Sequence, residues 1–216
     1  MGKKKFSALS IIIDNETSWM WSHVPRLQGV LDEYAERVCV YRNAGELQPG
    51  DVLFILSCDR ILKEDVLALH GHNIVIHASD LPRGRGWSPW THEVEAGAER
   101  MVLTLFEAAQ DVDSGDYYFK QPIELEGHEL VDELRDLIGT TVVDMIASFL
   151  SRYPLPAIPQ EGEPTFYPRR TRRDCELDVD KTLREQFNKL RVLDNEKYPA
   201  FFRLHGFEYV LRIEKA

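Results

Sequence analysis

The chain has 216 residues, with 36 Asp and Glu against 26 Lys and Arg, for a formal net charge of −10. With 44% hydrophobic and 29% charged residues, it is long and apolar enough to bury a core, which excludes a disordered chain. The acidic excess disfavours a nucleic-acid partner, because neutralising phosphates takes surplus Lys and Arg.

No apolar run reaches the roughly 20 residues that span a bilayer. Residues 8–13, behind the basic start, are too short for a signal segment, so a cytoplasmic chain with no membrane partner is expected. Residues 9–13 read as a buried strand ended by the polar run 14–18. Val24, Leu27, Leu31, Tyr34 and Val38 recur every three or four residues, the period of an amphipathic helix. Residues 38–41 and 52–56 read as strands around the turn Pro49-Gly50-Asp51; residues 73–77 read as another, cut off by Pro82 and Gly84. A helix over 90–97 and a strand over 102–106 follow. A long helix then covers 129–150, with Leu130, Leu134, Ile138, Val142, Met145 and Phe149 on one stripe. This alternation predicts an α/β fold: a Rossmann-like, doubly wound, mostly parallel sheet whose ligands collect at the carboxyl edge of the strands.

Beyond the long helix, Pro154, Pro156, Pro159, Gly162 and Pro164 demand a linker or extended arm. Leu183, Phe187 and Leu190 suggest a short helix, and 200–204 with 207–213 a hairpin closed by His205-Gly206. The expected division is a catalytic domain over 1–152 and a helix-plus-hairpin extension over 153–216. Cys39, Cys58 and Cys175 are an odd, scattered set that suits neither a disulfide framework nor a zinc cluster, so no metal is expected.

The segment from Ile76 to Pro89 carries the most chemistry. His77, Ser79, Leu81 and Pro82, followed by Gly86 and Pro89, resemble the H-x-S-x-L-P and G-x-x-P signature of the folate-dependent formyltransferases. The family's Asp-x-Gly loop has a counterpart in Asp113-Ser114-Gly115. The resemblance covers roughly residues 50–150 and implies that His77 and Asp113 are the catalytic pair and that 10-formyltetrahydrofolate is the co-substrate. It places the folate along Phe54, Leu56 and Ser57, with Asp113 also touching it. Transfer of a formyl group from the folate nitrogen to an amine develops an oxyanion. A histidine can hold that charge when protonated, and a neighbouring carboxylate supports the charged ring and moves protons.

Two departures stand out. The family's asparagine, two residues before the histidine, is Val75 here, and the nearest amide is Asn73, the candidate oxyanion donor in an altered geometry. The run 14–18 is acidic and lacks the glycine that cradles phosphate in relatives acting on glycinamide ribotides.

The C-terminal stretch Asp194-Asn-Glu196-Lys-Tyr198-Pro-Ala-Phe-Phe202 resembles nucleotide-amino-sugar N-formyltransferases, as do Arg169-Arg170-Thr171. The loop Gly84-Arg-Gly-Trp87-Ser-Pro89 is similar to a subgroup acting on UDP-linked sugars. The resemblance implies a UDP- or dTDP-linked deoxyamino sugar as partner, in surface-polysaccharide or glycan biosynthesis, held by Arg83, Arg85, Trp87, Arg191, Asn195 and Tyr198. It leaves a homodimer open. Other readings stay open too: a non-catalytic binder of folate or sugar nucleotide, or an enzyme with another amine acceptor. In the plainer reading Trp87 plugs the core, Tyr198, Phe201 and Phe202 are hairpin core, and residues 169–173 are a solvated arm.

Overall fold

The computed structural model describes residues 5–216. In chain order the elements are β1 (Phe6–Ile12), α1 (Val24–Tyr34), β2 (Ala35–Tyr41), β3 (Gly50–Ile55), α2 (Glu64–Leu67), β4 (His70–His77), β5 (Arg85–Gly86), α3 (Pro89–Glu95), β6 (Arg100–Glu107), β7 (Tyr117–Glu124), α4 (Val131–Arg152), β8 (Phe166–Tyr167), α5 (Phe187–Leu190), β9 (Ala200–Leu204) and β10 (Phe207–Leu211). Six strands form one sheet in the order β2-β1-β3-β4-β6-β7. The first four pair in parallel, and β4 with β6 and β6 with β7 run antiparallel. The sheet is therefore an α/β sheet with an antiparallel flank, as the alternation predicts for its first half.

The central strands are rich in apolar residues because both faces are covered. Leu9, Ile11 and Ile12 of β1 and Val52, Leu53 and Phe54 of β3 are fully buried. Helix α1 begins with Pro25 in its first turn, where a missing N–H costs nothing, and buries Val24, Leu27 and Leu31. Helix α4 starts where Glu133 accepts the Leu130 N–H, at 2.8 Å, and its acidic first turn complements the helix dipole. Its buried residues run to Phe149 and Leu150, and the Phe149 ring meets Phe54, Tyr118 and Tyr153 edge-on.

Strand β7 has no counterpart in the sequence reading. Its alternation is interrupted by Lys120, Gln121 and Pro122, and the sheet tolerates the proline because β7 is an edge strand. The proline-rich segment after α4 is an arm that folds back. Ile158 bridges Tyr117, and β8 pairs in parallel with β5. The helix suggested by Leu183 is confined to α5, and Leu183 is exposed. Cys175, Leu177, Leu190, Leu193, Ala200 and Phe201 form a small second core beneath the β9–β10 hairpin. Among the described residues no helix is long and apolar enough to cross a membrane.

Candidate active site

Strands β1, β3 and β4 end at one edge of the sheet, and the segments that follow them line a cavity of about 620 Å³. After β1 come Asn15, Thr17 and Ser18; after β3, Ser57 and Cys58; at the end of β4, His77. The first two loops are tied together. Ser18 Oγ donates to Ser57 Oγ at 2.7 Å, and Asp14 accepts the backbone N–H groups of Asp59 and Arg60 at 2.7 and 3.2 Å. The Asp14 carboxylate is thus engaged by backbone.

The loop after β4 turns back on itself. Gly84 and Gly86 have φ of 73° and 97°, and a Cβ on Gly86 would lie 2.6 Å from the Tyr167 carbonyl oxygen, so only glycine fits where β8 runs alongside. This turn carries the Gly84 carbonyl to His77 Nε2, at 2.9 Å. The second loop needs its glycine equally, since a Cβ on Gly115 would fall 1.7 Å from the Glu107 carbonyl oxygen. That close approach presents Asp113, at φ 53°, to the same spot. Its Oδ2 accepts the Gly86 N–H at 2.9 Å and stands 3.5 Å from His77 Nε2. Two motifs far apart in sequence therefore meet at one histidine, whose side chain and that of Asp113 are each only 13% exposed. With a carbonyl and a carboxylate as its neighbours, Nε2 is the nitrogen that carries a proton. Nδ1 has no hydrogen-bond partner among the described residues.

Beneath this loop lies Glu93, whose carboxyl is pushed up to about 7 by burial and then by the charge of Asp80. An acid held in its neutral form contributes stability below its ordinary value of 4.5 and loses it as the pH climbs through about 7. Glu93→Gln should match the wild type in melting temperature near pH 5 and exceed it near pH 8 (approximate settings either side of that window). An equal difference at both pH values in thermal melts would refute this account.

Several expected site residues lie elsewhere. Asn73 stands four residues before His77, roughly 13 Å along a strand. Its side-chain amide donates to the Leu67 carbonyl at 3.0 Å, so it is not the oxyanion donor the sequence suggested. Phe54 and Leu56 are core side chains; of the expected folate contacts, Ser57 and Asp113 line the cavity. Arg83 is exposed away from the cavity, and Arg85 donates to Gln160 Oε1 at 2.8 Å. Arg191 is 1% exposed and donates to Glu129 at 2.8 Å, a buried pair and no ligand contact. Asn195 exchanges hydrogen bonds with the backbone of Ile213, at 2.9 and 3.1 Å, and secures the chain after β10. Trp87 and Tyr198 do line the cavity.

Residues that the sequence reading did not assign to the site complete the wall. Arg169 lies 4.6 Å from the centre of the Trp87 ring. Arg170 pairs with Glu95 and lines the cavity with the exposed Arg169, while Arg172 and Arg173 are exposed, as a solvated arm would have them. Lys197 donates to the Thr17 carbonyl, joining the C-terminal extension to the loop after β1. Arg135 reaches Asp194 at 2.7 Å from the second turn of α4, a position indistinguishable in sequence from any charged helix surface. Arg169 and Lys197 have no carboxylate partner among the described residues.

Residues 37–146, about half of the chain, match the family model described as formyl transferase. The chain belongs to the formyl transferase family. That family uses formyl-tetrahydrofolate as its one-carbon donor. A methionyl-tRNA formyltransferase from Thermosipho melanesiensis is 32% identical over 145 residues, 67% of this chain and 47% of that protein. The chain spans about half the length of the curated relatives it matches. Among solved structures, a methionyl-tRNA formyltransferase from Clostridium thermocellum has a TM-score of 0.78 at 23% identity, covering 94% of this chain and 90% of that one. A sugar N-formyltransferase from Shewanella sp. has 0.71 at 14%, covering 97% and 98%. HypX from Aquifex aeolicus in complex with tetrahydrofolic acid has 0.77 at 17%, covering 97% of this chain and 38% of that one. At these identities the structures establish the fold.

Proposed function

We propose that this chain transfers a formyl group from 10-formyltetrahydrofolate to the amine of a UDP- or dTDP-linked deoxyamino sugar. The observation that carries the reading is the meeting of His77 and Asp113 at the wall of a cavity large enough for a folate head and an acceptor. The folate would lie against Ser57, with Ile55, Leu62, Leu67 and Val75 as an apolar wall for its flat ring. When bound it supplies an activated formyl carbon. His77 holds a proton at Nε2 between the Gly84 carbonyl and Asp113, and as imidazolium it offers Nδ1–H to charge developing on the formyl oxygen. Asp113 would stabilise that imidazolium, take a proton from the attacking amine and pass it to the folate nitrogen as that nitrogen's bond to the formyl carbon breaks. The reading therefore needs no amide at position 73.

Arg169, over the Trp87 ring, and Lys197, elsewhere on the cavity wall, are two cations without carboxylate partners among the described residues, and they support a diphosphate-bearing acceptor. Indole stacking would then hold a base. Methionyl-tRNA, named for the sequence relatives, is the second reading; its phosphates would have to meet a chain of net charge −10.

Equilibrium binding separates the two. Arg169→Ala, Lys197→Ala and Trp87→Ala should each weaken a UDP- or dTDP-amino sugar by about 10-fold or more, the scale of a charged hydrogen bond or lost stacking. Added salt should weaken it too, and Arg83→Ala should change nothing. Failure of every nucleotide sugar to bind would overturn the acceptor assignment.

A further inference from the structure

Gln160 lies between Pro159 and Glu161 on the returning arm, far in sequence from either catalytic motif. Its side-chain amide nonetheless touches both. Nε2 donates to the Asp113 carbonyl at 2.9 Å and to the Gly115 carbonyl at 2.8 Å, and Oε1 accepts from Arg85 at 2.8 Å. Arg85 immediately precedes Gly86, whose N–H holds the Asp113 carboxylate. The arm itself is fixed on both sides of Gln160. Ile158 exchanges backbone hydrogen bonds with Tyr117 at 2.9 and 2.8 Å, and Thr165 and Tyr167 accept the backbone N–H groups of Arg85 and Trp87 at 2.9 and 3.1 Å. A flexible glutamine is therefore anchored where it can bridge the loop that carries Asp113 and the loop that carries Gly86.

Asp113 needs such a tie. Its φ of 53° lies in the left-handed region, which is strained for a residue with a Cβ. Without the two amide bonds the Asp113–Gly115 turn has reason to relax to an unstrained conformation. The carboxylate would then leave the Gly86 N–H, and with it the vicinity of His77.

We infer that Gln160 is a positioning residue, clamping the Asp113 loop to the Arg85–Gly86 loop so that the Asp113 carboxylate stays beside His77; its effect on turnover rests on the formyl-transfer reading, its effect on geometry does not. Gln160→Glu is a conservative variant that keeps an acceptor for Arg85, removes both amide donors and sets a carboxylate against two carbonyl oxygens. Gln160→Ala removes the whole bridge.

The test combines amide hydrogen exchange with steady-state kinetics on the full chain. In both variants the Gly86 amide should exchange about 10-fold faster or more, reporting loss of its bond to Asp113, while sheet amides of β1 and β3 keep their wild-type protection. With an accepted amino sugar, kcat should fall about 10- to 100-fold with KM nearly unchanged, the cost of a small misplacement of a catalytic group. In an Asp113→Asn background the same Gln160 change should cost less than about 2-fold, because the group it positions is already gone. Unchanged exchange at Gly86 overturns the clamp whatever the acceptor, as does an equal loss of kcat in both backgrounds. If Gly86 protection collapses in the variants while wild-type protein formylates no acceptor, the clamp stands and the formyl-transfer reading falls.

Discussion

Replacing His77 by Asn, or Asp113 by Ala, should lower kcat by about 10²-fold or more, the usual scale of a positioned acid–base group. The two side chains converge from different loops to 3.5 Å, and neither carries much of the core, so both variants should fold. The losses should also fail to add, since the pair acts as one unit around a shared proton. Steady-state rates of the two single variants and the double variant check this. Near-wild-type turnover in either single variant would remove that residue from the chemistry, and fully multiplicative losses would mean that the two act separately.

The second large effect is on stability. Arg191→Ala should destabilise the chain by about 3–5 kcal/mol, because it strands the Glu129 carboxylate in a buried site. Glu129 binds the backbone N–H groups of Glu126 and Gly127, at 2.6 and 3.0 Å, as well as Arg191. Burial alone would raise its carboxyl; those hydrogen bonds outweigh burial and hold it at about 2. A group depressed in this way stabilises the fold above its ordinary value of 4.5, and the contribution is lost as the pH falls toward about 2. Urea unfolding of wild type and Arg191→Ala should accordingly differ most near neutral pH and converge in acid. Arg191→Met combined with Glu129→Leu should recover much of the loss, since an apolar pair of similar volume strands no charge. A variant that unfolds like the wild type but binds nucleotide sugar poorly would return Arg191 to the ligand, where the sequence motif first put it.

That reversal shows where sequence reading stops. Periodicity finds β1, β3, β4, α1 and α4 because each presents an apolar face to one continuous core, and burial leaves a one-dimensional trace. It passes over β7, whose edge position lets Lys120, Gln121 and Pro122 stand in a strand. His77 and Asp113 are legible because their glycine-bearing turns have fixed local spacing, set by contacts that only glycine allows. Arg191, Asn195 and Asn73 are polar residues within or near recognisable motifs, and only three-dimensional packing turns them to Glu129, Ile213 and Leu67. Gln160 is the converse case. It sits in a segment that reads as a linker, and its importance arises when β8 pairs with β5, a two-residue ladder that no pattern announces.

Formyl transfer itself is the most direct test of the central claim. Purified protein with 10-formyltetrahydrofolate and a panel of UDP- and dTDP-linked amino sugars should release tetrahydrofolate only when a suitable amine is present. Mass spectrometry should then show that acceptor carrying one formyl group in place of an amine hydrogen, with product absent in Asp113→Ala. Tetrahydrofolate release without any formylated acceptor across the panel, or formylated product undiminished in Asp113→Ala, would contradict the account.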